Sequence, residues 1–138
     1  MLKKTFVYSI AGLILLSLVG CSLLEREIEP ADVALTSSYF NFEDIKVPKH
    51  LKLDRGRSFV HDVAGFKAGT LYFSGNVEVN SLVAFFSDSM LKDGWRLKSS
   101  FRYPKMLHLF EKEGKSCIII IEEDFMNTRV EIWVAPTN

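Results

Sequence analysis

The sequence predicts a two-layer α+β fold: one amphipathic helix packed on an antiparallel sheet of about six strands, in the order ββαββββ. Three observations predict it. Leu82, Val83, Phe86, Met90 and Leu91 recur at spacings that place them in one apolar stripe of a helix. After Gly94 the period changes to two, with Trp95, Leu97 and Phe101 alternating against Arg96, Lys98 and Arg102. Short polar turns separate the strands that follow, and short loops favour antiparallel neighbours.

In chain order, Lys3 and Lys4 form a positive start, and the 14 residues from Phe6 to Val19 are apolar or small and uncharged. Gly20 and Cys21 follow. A positive start, an apolar centre and small residues at a cleavage point are the layout of a secretory signal peptide. Residues 1–20 are therefore expected to be a removable leader. Continuing the apolar run through Leu24 lengthens it to about 19 residues, enough for an uncleaved transmembrane helix as the alternative anchor.

Leu18-Val19-Gly20-Cys21 resembles the lipobox of bacterial lipoproteins, and the resemblance covers the whole targeting segment. It implies that a dedicated peptidase recognises Leu18, Val19 and Gly20 and cuts before Cys21. The Cys21 sulfur would then carry a diacylglycerol, and its new amino group an acyl chain such as palmitate. One chain binds a membrane only marginally, each buried methylene contributing about 0.8 kcal/mol, whereas three chains anchor firmly. In Gram-negative lipoproteins an Asp after the cysteine usually signals retention in the inner membrane. Ser22 stands there, which implies the outer membrane, facing the periplasm.

Residues 21–46 read as a tether. Leu23 to Glu29 suits a turn or two of helix, which Pro30 ends because the residue before a proline avoids the helical region. Tyr39, Phe40 and Phe42 interrupt its polar character; they are expected to dock on the domain, with the lipid interface as the alternative. Pro48 marks the start of a domain spanning 47–138.

Within that domain, Arg57 to Asp62 and Gly69 to Ser74 read as a pair of strands, with Gly65 to Gly69 as a hairpin loop. Asn80 is placed to cap a helix over 81–93, and Gly94 to end it. Tyr103-Pro104-Lys105 is a turn, after which Leu107 and Leu109 alternate with a polar His108. Glu113-Gly114-Lys115 is a second turn, and Cys117 to Ile121 is a nearly continuous apolar, central strand. Asp124 to Asn127 turns again, and Val130, Ile132 and Val134 alternate with Arg129, Glu131 and Trp133.

This domain pattern is also similar to a family of small bacterial envelope lipoproteins. The resemblance lies in Val47-Pro48 followed by Leu51, Ser58-Phe59, Phe85-Phe86 with Met90, Gly94-Trp95 and Leu109-Phe110-Glu111-Lys112. It covers roughly Val47 to Pro136 and implies a location in the envelope. It implies no chemistry.

Composition narrows the function further. The chain carries 17 basic and 17 acidic residues, and losing Lys3 and Lys4 leaves 15 against 17. Without a basic excess or a recognition motif, nucleic acid is not expected as a partner. His50, His61 and His108 have no metal-ligand spacing, so neither a metal nor any other cofactor is expected. All three read as surface histidines. Cys117 reads as a small buried hydrophobe rather than a nucleophile. Glu122-Glu123-Asp124 reads as a solvated turn, and Lys46, Lys49, Lys52, Arg55 and Arg57 as a solvated edge that would alternatively face anionic headgroups.

The expectation is therefore a lipid-anchored module, not an enzyme, binding an unknown protein or envelope component. Its membrane partner is reached through Cys21. One alternative is a carrier of a small apolar ligand in a pocket lined by Phe86, Met90 and Trp95. The other is an envelope hydrolase, which requires His61, His108 and an acid to converge.

Overall fold

A computed structural model describes residues 37–63, 65–102 and 104–137. Leu18, Val19, Gly20 and Cys21, with most of the tether, lie outside the described residues. The elements are β1 (Ser37–Tyr39), β2 (Lys46–Pro48), β3 (Lys52–Leu53), β4 (Phe59–Val63), β5 (Phe66–Gly75), α1 (Val79–Lys92), β6 (Arg96–Phe101), β7 (Met106–Lys112), β8 (Lys115–Glu123) and β9 (Thr128–Pro136).

Among the described residues one helix accompanies a mostly antiparallel sheet, as expected. The strand count and order differ. Nine strands are present among the described residues, in the order βββββαββββ, rather than about six. β1 and β2 form a two-stranded sheet, and the other seven form the main one, ordered β3-β5-β9-β8-β7-β6. β4 shares the outer edge of β5 with β3. The additional strands β1, β2 and β3 are two or three residues long, too short to carry a period in sequence.

β6 to β9 form the expected meander, but the last strand then pairs with β5, from Gly69↔Val134 to Gly75↔Thr128. This long-range pairing joins the strands before the helix to those after it. Where β5 passes from β4 to β3, side chains complete its bonding. Ser58 Oγ accepts from Tyr72 N at 2.9 Å, and Asp54 N donates to Tyr72 O at 2.8 Å.

The second layer is α1 together with the β1–β2 hairpin. Leu82, Phe86 and Met90 face inward at 0–1% exposure, whereas Leu91, assigned to the same stripe, is 57% exposed. Each fully buried side chain of this size contributes roughly 1.5–3 kcal/mol. The helix begins two residues earlier than expected, and its cap is Glu78, not Asn80. The Glu78 carboxylate accepts from Asn80 N at 2.8 Å and Ser81 N at 2.6 Å, satisfying two orphan donors of the first turn. At the other end Gly94 takes φ +86°, and Trp95 N returns to Met90 O at 2.9 Å, the hydrogen-bond pattern of a Schellman motif.

Phe42 docks on the domain as expected, and Ile45 with it: both are buried in the same cluster as Val47 and Leu51. Two apolar side chains inside a polar loop gain more by docking than by remaining in water. In β7 the buried set is Met106, His108 and Phe110, while Leu107 and Leu109 are only half-buried. A one-residue change of phase exchanges the two faces of a strand. Leu97 and Phe101 of β6 are likewise exposed, at 45% and 59%.

Candidate functional site

The residues with chemistry gather at one end of the main sheet. There a cleft of about 610 Å³ opens, lined by Phe42, Asp44, Phe66, Lys67, Glu113 and Lys115 among others. The loop between β1 and β2 brings Asp44 to the β7–β8 turn, where two cations share its carboxylate. Lys112 Nζ lies 3.1 Å and Lys115 Nζ 2.5 Å from Asp44 Oδ2. Lys112 also donates to the Asp93 carbonyl at 2.7 Å. Burial alone would raise the Asp44 carboxyl, but the hydrogen bonds and charges of Lys115 and Lys112 outweigh it and hold it below its ordinary range.

Trp95 sits beneath this cluster. Its Nε1 donates to Asp44 O at 2.9 Å, and Lys112 and Lys115 stand 5.8 and 5.2 Å from its ring centroid. The arrangement latches the loop over the indole. Its chemistry is that of a polar recess of mixed charge, lined by Glu43, Asp44 and Glu113 with Lys67 and Lys115. It suits hydrogen bonding to a polar group, and it holds no nucleophile paired to a base.

The pocket expected from Phe86, Met90 and Trp95 does not form. All three are at 0–1% exposure. Neither the charged cleft nor a second recess of about 220 Å³ beside Arg55 and Phe59 is lined by any of them. They fill the layer between helix and sheet, because interiors pack to near-crystalline density.

His61 and His108 do not converge. β5, β9 and β8 separate their strands, four spacings of about 4.8 Å, or roughly 19 Å across the sheet. His108 is not a surface residue. It is 5% exposed, lies 5.8 Å edge-on to Phe110, and its Nδ1 has no hydrogen-bond partner. Burial, helped by the nearby charge of Arg102, pushes its pKa below the ordinary value and keeps the ring neutral near pH 7. Cys117 is fully buried on β8, and burial raises its thiol far above the usual range. A buried neutral thiol is inert.

Two of the three acids at the end of β8, Glu122 and Asp124, are paired. Glu122 meets Lys105 at 3.0 Å and Arg129 at 3.3 Å, and Asp124 meets Arg129 at 3.3 Å. The hydrogen bond from Lys105 is the main reason Glu122 titrates below its ordinary value. Among the described residues, no group of three or more His, Cys, Asp or Glu could hold a metal ion. The basic segment divides. Lys46 is drawn to Asp93 at 3.5 Å and Arg57 stacks 4.2 Å over the Tyr72 ring, while Lys49, Lys52 and Arg55 stay exposed.

Two surfaces were missed in sequence. The sheet face opposite α1 carries half-buried Leu107, Leu109, Ile118 and Ile120, flanked by exposed Phe101 and Trp133. The turn between β8 and β9 presents Phe125 at 99% and Met126 at 78% exposure. The signal for the turn was legible: two large apolar residues sit where turn chemistry calls for polar ones. Among the described residues no helix is long and apolar enough to cross a membrane. No protein-family model, curated protein or solved structure matches the chain.

Proposed function

We propose that the chain is a cell-envelope lipoprotein, held in the membrane by acyl chains on Cys21, whose domain serves as a non-catalytic binding or structural module. One observation carries the reading: Leu18-Val19-Gly20-Cys21 follows a basic start and an uncharged apolar run, in lipobox order. The burial of Cys117 supports it, because a disulfide between the two cysteines would require opening the core. Ser22 favours the outer membrane, facing the periplasm. The non-catalytic part is supported by the separation of His61 from His108 and by the inert setting of Cys117. The dense environment of Phe86, Met90 and Trp95 speaks against an apolar-ligand carrier.

Intact mass spectrometry of the membrane-extracted protein tests the anchor. The expected mass is that of a chain beginning at Cys21 with a diacylglyceryl group and one further acyl chain. A mass beginning at Met1 without acyl groups overturns the reading in favour of an uncleaved apolar helix. Cys21→Ser should abolish incorporation of labelled palmitate.

A further inference from the structure

The end of the main sheet opposite the Asp44 cleft carries the most exposed apolar side chains among the described residues. Phe125 is 99% and Met126 78% exposed, at the tip of the β8–β9 turn. The chain enters the domain at that same end. The β1–β2 loop reaches Asp44 at the cleft, so Ser37, paired with Pro48, lies at the opposite end of its hairpin. From Pro48 the backbone passes to His50, whose carbonyl lies 2.5 Å from where a Cβ on Gly75 would stand. Gly75 pairs with Thr128, immediately after the turn.

We infer that the Phe125–Met126 turn inserts shallowly into the bilayer surface to which the chain is anchored, so that the domain has a fixed orientation there. The inference rests on the lipid anchor proposed at Cys21. Between Cys21 and Ser37 lie residues 22–36, a span of at most about 58 Å even fully extended. A contact too weak to bind alone therefore acts at high effective concentration.

Several polar groups around the tip are already satisfied, which lowers the cost of leaving water. Asp124 N donates to Asn127 O at 2.8 Å, and Phe125 N to Asp124 Oδ1 at 2.8 Å. Behind the tip, Lys105 and Arg129 neutralise Glu122, and Arg129 also reaches Asp124. Lys49 and Lys52 are exposed beside the point of chain entrance, at the level where headgroups would stand. Exposed Glu123 at the base of the turn limits the depth to the interface.

The test uses nitroxide labels on the full chain in vesicles of phosphatidylethanolamine and phosphatidylglycerol. Cys117 is inert, so Met126→Cys supplies the thiol to label, and Glu113→Cys at the cleft end is the control. The expected result is a several-fold lower access of a water-soluble nickel complex to the label at 126 than at 113. Adding Phe125→Glu should abolish the difference. Equal, aqueous access at both positions in a chain whose mass shows the acyl groups overturns the docking and leaves the anchor standing. A protected label at 126 in a chain without acyl groups keeps the docking and removes the anchor. Spin–spin coupling between labels at 126 shows that a second copy covers the tip and overturns the inference.

Discussion

Replacing His108 with leucine should stabilise the protein, and more so in mild acid. The wild-type ring is 5% exposed with Nδ1 unpartnered, and an unsatisfied buried nitrogen costs about 1–3 kcal/mol. His108→Leu keeps a similar volume beside Phe110 and removes that nitrogen, so it should gain about 1 kcal/mol at pH 7.5. The pH dependence adds to this. Burial and then Arg102 depress the folded-state pKa of His108 below its ordinary 6.5. Above the unfolded value both states are neutral and the native state keeps its full stability. As pH falls from there toward the folded value, the unfolded chain binds a proton that the native chain refuses. Stability is then lost by up to about 1.4 kcal/mol per pH unit. Urea unfolding of wild type and His108→Leu at pH 7.5, 6.5 and 5.5 measures both effects, and the comparison cancels every other titrating group. The gap between the two proteins should widen as pH falls. Parallel pH profiles, or a variant less stable at pH 7.5, would refute the reasoning.

Other outcomes are as specific. Asp44→Asn leaves Lys112 and Lys115 without their shared anion and should cost about 1–3 kcal/mol at pH 7. Because the folded-state pKa of Asp44 lies below 3.8, wild type holds that advantage above 3.8 and loses it as pH falls further. Urea midpoints of both proteins should therefore approach each other at pH 3. In Gly69→Ala the new Cβ would stand 2.2 Å from Phe59 O and 2.7 Å from Val60 Cα, so β4 must separate from β5. Amide exchange from 59 to 63 should accelerate strongly, and unchanged protection there counts against the close approach. Cys117 should ignore thiol reagents in the folded protein and react only on denaturation, and rapid labelling at neutral pH would contradict its burial.

The helix was legible in sequence because Leu82, Phe86 and Met90 hold a strict helical spacing and Gly94 marks the stop. The central strand was legible because Cys117 to Ile121 is apolar on both faces, so its identity did not depend on phase. β7 fails for the same reason inverted. In Met106-Leu107-His108-Leu109-Phe110 both faces are apolar except for one histidine, and taking His108 as the outward marker puts every neighbour on the wrong side. What buries His108 is the second layer packed on that face of the sheet, a tertiary fact. The Asp44 latch was out of reach altogether: its partners lie 68 and 71 residues along the chain. Asn80 was the expected cap because an Asn side chain is the commoner one, yet Glu78, two residues earlier, caps the helix by accepting from Asn80 N and Ser81 N.

The hairpin of β1 and β2 also has a mechanical meaning. Both its free ends, Ser37 and Pro48, lie on the same side, so a pull on the chain at Ser37 unzips it one residue pair at a time instead of shearing all three together. Peeling in that geometry needs little force, and it runs until the strain arrives at Phe42, buried in the core cluster, and then at Asp44, held by two lysines and the indole of Trp95. The seven-stranded main sheet is shielded behind that stop. Tension on the N-terminal segment is thus absorbed by a short yielding strap, which can re-zip when the pull ends, before it reaches the core.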